Sequence, residues 1–279
     1  MSAAHQAVFD RVLAMPPVDT TYVAGRWHHD RVALGGYVIE ARILLKSLTV
    51  PRNRNKRFLI IGRARSGTTL LTRLLNSHSQ IQCDGEVLKR NVLFPGLLLD
   101  RLAGKSSAPV YGAKLLSYQM AQVHRMRDPH RFLARLAANG VVLIHLQRDT
   151  FFQTLSLTIA QKRKQFHSDK GASALKRAVP LDPVNFVERV AWSLALLEYE
   201  RAALDGLDHM VIRYDTDLTD AAGQARTLAA ICARLGVPEE PAETPLKKVL
   251  PTDPARIIEN YDEVRDHLVA AGLGDVLPS

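Results

Sequence analysis

The stretch Phe58-Leu-Ile-Ile-Gly-Arg-Ala-Arg-Ser-Gly-Thr-Thr-Leu-Leu71 decides the fold. Four apolar residues, Phe58 to Ile61, end at Gly62, the pattern of a buried parallel strand. A helix is expected from Thr68 to about Asn76, with Leu70, Leu71, Leu74 and Leu75 on one face. Between strand and helix lies a turn that holds Gly62 and Gly67. Backbone N–H groups of such a turn converge on one concavity, and the helix N-terminus adds partial positive charge. That is a phosphate cradle. Gly67 allows close backbone approach, and Thr68 and Thr69 supply hydroxyl donors and cap the helix.

Outward from this segment, strand and helix patterns alternate. Val110 to Leu115 and Val141-Val-Leu-Ile-His-Leu146 are further strand candidates, the second the stronger. A helix is expected from Val187 to Leu204. His209-Met-Val-Ile-Arg213 reads as a strand, followed by a helix from Ala221 to Leu235 that stops at Gly236 and Pro238. Ile257 to Ala271 reads as a closing helix, ended by Gly272. This alternation predicts an α/β fold, a parallel sheet flanked by helices. Residues 1–50 read as a helical N-terminal extension, with a surface helix over Tyr37 to Leu48. The basic stretch Pro51-Arg-Asn-Arg-Asn-Lys-Arg57 connects it to a domain spanning 51–279.

The chain has 279 residues, 47% hydrophobic and 23% charged, enough apolar content for a packed core and too much for disorder. Its formal net charge of +9 is uneven. Residues 205–279 hold 7 Lys/Arg against 14 Asp/Glu, so that quarter carries −7 and residues 1–204 carry +16. A basic body with an acidic last quarter points to an anionic partner. Nucleic acid, a phosphorylated cofactor, a membrane surface and an acidic glycan all satisfy it. Two cysteines far apart, Cys83 and Cys232, argue against a disulfide framework or a zinc site and suit a reducing, cytoplasmic setting. The N-terminus lacks the pattern of a signal peptide. No apolar run approaches the ~20 residues that span a bilayer.

The spacing of Gly62 and Gly67 is that of a Walker A loop, Gly-x4-Gly-Lys-Ser/Thr, but Thr68 stands where the lysine belongs. A cation lies instead two residues before the second glycine, at Arg65. Arg65-Ser-Gly-Thr-Thr-Leu-Leu71 resembles the 5′-phosphosulfate loop of the sulfotransferase superfamily, in particular its bacterial and Golgi glycan-type and tyrosylprotein-type members. The resemblance implies a P-loop-NTPase-like sulfotransferase fold, 3′-phosphoadenosine 5′-phosphosulfate (PAPS) as sulfuryl donor, and no metal. It implies a donor site of Arg63, Arg65, Ser66, Gly67, Thr68 and Thr69. On that reading the missing lysine makes chemical sense, because there is no γ-phosphate to hold. Arg65 would neutralise charge on the phosphate oxygens as the S–O bond breaks.

A second segment bears on the same resemblance. The family has a 3′-phosphate site, an Arg at a strand end and a Ser eight residues on. Arg148 follows the Val141–Leu146 strand, and Ser156 comes eight residues later. A guanidinium fork suits a phosphate terminus; taken alone, Arg148 is equally a surface partner of Asp149. Further on, Val211-Ile-Arg-Tyr-Asp215, Leu235-Gly-Val and Ile258-Glu-Asn-Tyr-Asp-Glu263 also look like family elements, with Asp215 for the common Glu.

Sulfuryl transfer to a hydroxyl needs a base, charge stabilisation and exclusion of water. By resemblance Glu86, in Gln82-Cys-Asp-Gly-Glu-Val87, is the base, with Asp84 as rival. Lys114 ends a strand candidate, where open α/β sheets place ligands, and is the third catalytic candidate. Lys247 or Lys248 could close over the nucleotide, and Lys162-Arg-Lys164 could extend the 3′-phosphate site. His145 reads as a core histidine. The acceptor implied is a carbohydrate or glycolipid hydroxyl, with a peptide tyrosine or small-molecule hydroxyl as the alternative. A peripheral membrane contact fits the charge. A P-loop kinase or NTPase is the rival enzyme class, opposed by the missing lysine. No recognised motif supports nucleic-acid binding. The sequence leaves the oligomeric state open.

Overall fold

A computed structural model describes residues 2–16, 41, 45, 55–89, 91–162, 178–241 and 253–278. Five strands form one sheet: β1 (Lys56–Gly62), β2 (Ile81–Glu86), β3 (Val110–Leu116), β4 (Val141–Gln147) and β5 (His209–Arg213). Every pairing is parallel, in the order β2-β3-β1-β4-β5. The helices are α1 (Ala3–Ala14), α2 (Thr68–Asn76), α3 (Pro95–Lys105), α4 (Pro129–Ala138), α5 (Thr150–Lys162), α6 (Pro183–Leu204), the short α7 (Tyr214–Asp217), α8 (Ala221–Leu235) and α9 (Tyr261–Ala270). The expected α/β class, a parallel sheet flanked by helices, is what the chain adopts.

β1 and β4 alternate their buried side chains between two cores. Phe58, Ile60, Ile144 and Leu146 face α2 and α8, where they meet Leu71, Leu74, Leu228 and Ile231. Leu59, Ile61 and Leu143 face the opposite layer, with Phe9 and Val12 of α1 and Leu196 and Tyr199 of α6. A strand buried on both faces has no polar side to show, which is why β1 and β4 read as continuous apolar runs. A third cluster joins α5, α6 and α9 through Phe151, Phe186 and Leu268. The β1–α2 connection leads toward the β2 side of the sheet, and β4 and β5 lie on the other side of β1. The strand order therefore reverses between β1 and β4, whose carboxyl ends are where open α/β sheets place ligands.

Several boundaries match the expectation: α2, β5 and α8 begin and end where expected, and Gly236 closes α8 with φ +66°. Others differ. β2 is a further strand, and α3 and α4 are further helices. The closing helix starts at Tyr261 and not at Ile257. A 3₁₀ turn, Pro254–Arg256, precedes it, and Ile258 forms a bridge with Val179, so no continuous helix runs through this stretch. Lys56 and Arg57, read as the end of a connector, open β1. Apart from Ala41 and Leu45, the expected Tyr37–Leu48 helix lies outside the described residues. So do Lys247, Lys248, Arg163 and Lys164. Among the described residues no helix is long and apolar enough to cross a membrane.

Candidate functional site

The site is built on the turn from β1 to α2. Gly62 pairs with Leu146 of β4, and a Cβ at Gly62 would stand 2.6 Å from the Leu146 carbonyl oxygen. Only glycine lets the two strand ends approach this closely. The turn then passes Arg65, with φ +67°, and Gly67, with φ +102°. Gly67 is the N-cap of α2, and no side chain caps that helix. Thr68 and Thr69 are its first helical residues, so the expected threonine cap is replaced by an open end. α4, α6 and α8 each begin on an aspartate that accepts a first-turn amide. At α2 the first-turn amides face the concavity with their dipole and no aspartate.

The turn is held from below by Arg63. Its guanidinium is 1% exposed. Nη1 donates to Thr150 Oγ1 (3.0 Å) and Ser193 Oγ (2.7 Å), and Nη2 donates to the Arg148 carbonyl (2.7 Å). Arg63 therefore points into the interior and not at a nucleotide, which corrects its place among the donor-binding candidates. The physical reason is direction: the residue after β1 turns toward α5 and α6, where Thr150 and Ser193 accept from Nη1. Ser66 is also buried, and its hydroxyl donates to the Arg63 carbonyl (2.8 Å). Only its backbone is left to serve the concavity. Gln153 of α5 adds a bond from Nε2 to the Ala64 carbonyl.

Arg65 and the two residues expected at the 3′-phosphate come together. Arg65 Nε donates to Ser156 Oγ at 3.2 Å. Arg148 Nη1 donates to the Arg65 carbonyl at 2.9 Å. The Arg148 guanidinium lies 4.5 Å above the centre of the Tyr214 ring. Tyr214 in turn covers Gly67, where a Cβ would meet its Cδ2 at 2.4 Å. Burial lowers the Arg148 pKa, against the raising influence of Tyr214, Asp215 and Asp149. Arg148 Nε is buried and has no hydrogen-bond partner among the described residues. A buried guanidinium donor left unpaired is costly, and an anion beside it removes that cost. Asp215 accepts the Asp149 amide at 2.7 Å and holds the β4 end in place.

Glu86 reaches the other side of the turn through a bulge. Asp84 pairs with Ala113, but Glu86 pairs with the next residue, Lys114, so Gly85 is the extra residue of the strand. Without the bulge, alternation would set Glu86 on the same face as Asp84. With it, Glu86 faces Lys114. Lys114 Nζ lies 3.7 Å from Glu86 Oε1 and donates to Thr69 Oγ1 at 3.2 Å. Burial lowers the Lys114 pKa, with Glu86 acting against it. Glu86 Oε2 accepts from Tyr118 Oη (2.8 Å) and Gln119 Nε2 (2.9 Å). Asp84 accepts from Tyr111 Oη (2.8 Å) and Gln82 Nε2 (3.2 Å), away from the turn. Of the two carboxylates, Glu86 is the one joined to α2. His145 is a buried partner of Glu200 (2.9 Å) and stands apart from this chain of groups.

Sequence reasoning missed Tyr118, Gln119 and Gln153, for which no motif signals a role. Tyr214 was visible only as part of the Arg-Tyr-Asp string. Together these groups define an α/β protein with a glycine turn into an uncapped helix, no lysine at the Walker A position, and a carboxylate–lysine pair beside it.

Residues 57–127 match the family model described as "Sulfotransferase family". This match, which contains the turn, Glu86, Lys114, Tyr118 and Gln119, supports the sulfotransferase family. No curated protein matches the sequence significantly. In structure the chain is similar to sulfotransferase STF9 from Mycobacterium avium, with 13% identity, 97% of this chain and 91% of that chain covered, and a TM-score of 0.50. A sulfotransferase from Alicyclobacillus acidocaldarius gives 16% identity, coverage of 80% and 93%, and a TM-score of 0.49. Mouse sulfotransferase SULT7A1 complexed with PAP gives 11%, coverage of 84% and 90%, and a TM-score of 0.43. The likeness to STF9 extends the shared fold over nearly the whole chain.

Proposed function

We propose that this protein moves a sulfuryl group from PAPS to an acceptor hydroxyl, on a carbohydrate or glycolipid, in the cytoplasm. The observation that carries the reading is the junction of Arg65, Arg148 and Ser156 beside an uncapped helix end. Two phosphate-binding elements, far apart in sequence, meet at one crevice, and the unpaired Arg148 Nε supplies a donor for an anion. The α2 amides, Thr68 and Thr69 would hold the phosphosulfate, and Arg148 and Ser156 the 3′-phosphate. When bound, PAPS supplies an activated sulfuryl group whose S–O bond to phosphate breaks as the acceptor oxygen attacks sulfur.

Glu86 takes the proton of the attacking hydroxyl. Lys114, between Glu86 and Thr69, and Arg65 supply positive charge where the sulfuryl oxygens and the departing phosphate gain negative charge. The basic body of the chain favours an acceptor with anionic surroundings, which keeps a membrane-borne glycolipid in view. Transfer to a peptide tyrosine or small-molecule hydroxyl would use the same groups.

The test is thermal shift with adenosine 3′,5′-bisphosphate against ADP with Mg²⁺. Stabilisation by the bisphosphate is expected without Mg²⁺, and Arg148→Ala should weaken it. Stabilisation by ADP–Mg²⁺ alone would sink the reading in favour of a kinase or NTPase. Glu86→Gln should keep bisphosphate binding and lower turnover of PAPS about 10²- to 10⁴-fold.

A further inference from the structure

We propose that Tyr118 and Gln119 are positioning residues that hold Glu86 so that Oε1 takes the acceptor proton. The inference rests on the reading of Glu86 as base. Both side chains are buried, Tyr118 at 4% exposure and Gln119 at 0%. They sit just after β3, where Gln119 opens a π-helical turn, Gln119–Val123, closed by the His124 amide on the Gln119 carbonyl at 2.8 Å. Turns of this kind recur at functional sites.

The orientation of the Gln119 amide follows from its partners. Its Oε1 accepts the Leu116 backbone N–H at 3.0 Å, which only an oxygen can do. Its Nε2 is therefore the end that faces Glu86, and it donates to Oε2 at 2.9 Å. The Leu116 amide is the last of β3, so Glu86 is referenced to the end of a sheet strand and not to a loose loop. Tyr118 Oη donates to the same oxygen at 2.8 Å.

Two donors on one carboxylate oxygen have two consequences. Rotation of the carboxylate would break both bonds at once, so its plane is fixed. Oε2 already accepts two hydrogen bonds, so the acceptor hydroxyl is directed to Oε1. That oxygen is the one 3.7 Å from Lys114, on the side of Thr69 and the turn. Tyr118 and Gln119 are neutral, so they orient Glu86 without pairing off its charge.

The experiment uses the full chain with PAPS and octyl β-D-glucoside, reading total adenosine 3′,5′-bisphosphate formed, so that transfer to the sugar or to water is counted. Tyr118→Phe removes one donor and keeps the ring. It should lower kcat about ten- to hundredfold, through misplacement of the base, and leave the KM for PAPS and the bisphosphate-induced melting shift unchanged. Gln119→Glu sets a carboxylate against Oε2 and should lower kcat at least as much; if it fails to fold, Tyr118→Phe decides alone. In the Glu86→Gln background, Tyr118→Phe should cost nothing further, because its effect runs through Glu86. A fully active Tyr118→Phe, or a further loss in the Glu86→Gln background, overturns the inference. Full activity of Glu86→Gln overturns the reading of the base itself, and the positioning role with it.

Discussion

Lys114 carries opposite consequences for stability and for function. It is 7% exposed, and burial lowers its pKa below the ordinary lysine value. A charged group with a lowered pKa in the folded state binds its proton less tightly than in the unfolded chain. The unfolded state therefore holds more protons between the lowered pKa and about 10.4, and stability rises with pH across that window. Below the window the cost is fully present. Lys114→Met should raise the melting temperature at neutral pH, flatten the rise toward alkaline pH, and lower PAPS turnover. Melting curves from pH 7 to 10 check the first two; an unchanged or lower melting point for the variant would show that the Glu86 pairing outweighs the burial. At this scale the sequence was partly legible. Arg65, Arg148 and Ser156 followed from the resemblance to the sulfotransferase loop and 3′-phosphate site, and they do meet. Arg63 did not follow, because a spacing says nothing of which way a side chain turns. Hydroxyls on α5 and α6, distant in sequence, decide that. Tyr118 and Gln119 were invisible for the same reason.

Two glycines shape the elements that carry the site. Gly67 has φ +102° and lies under the Tyr214 ring, so an alanine there meets both backbone strain and a ring that Arg148 covers from above. Gly67→Ala should lose roughly 1–3 kcal/mol of stability, the usual cost of a strained backbone position. It should also bind adenosine 3′,5′-bisphosphate more weakly; urea titration and calorimetry read the two effects separately. Gly85 acts differently. It makes the bulge that brings Glu86 opposite Lys114. Deleting it would make Glu86 the direct neighbour of Asp84, still opposite Lys114 in an unbulged strand, so turnover of PAPS should persist; its loss would show that the local bend of the bulge, and not only the pairing, places Glu86. β1, β3, β4 and β5 were legible because apolar runs and strand–helix alternation mark them. β2 was not: Ile-Gln-Cys-Asp-Gly-Glu is an edge strand with a bulge, and its alternation breaks where the function begins. α3 and α4 each begin on a proline, and the sequence reading assigned no element to either.

At the scale of the whole molecule, α1 belongs to the same core as the sheet. Phe9 is 0% exposed and packs edge-on against Tyr199, their ring centres 5.3 Å apart. Arg11 pairs with Glu198 of α6. Phe9→Ala should therefore cost about 3–5 kcal/mol, as for a buried core phenylalanine, though the helix looked like an appendage from sequence. Denaturant midpoints measure it; a cost near zero would make α1 an accessory to the domain. The charge imbalance was legible from composition, but its address was not, since which cations line the crevice depends on the fold. The placement of α1 also sets an order of assembly. α1 is translated before α6, and 190 residues separate Phe9 from its partner Tyr199. At about 5–20 residues per second, the delay is on the order of 10–40 s. For that interval Phe9 and Val12 have no α6 to cover them, so the docking of α1 waits on α6. A pause in synthesis before residue 183 would lengthen the time in which this apolar stripe can meet another chain.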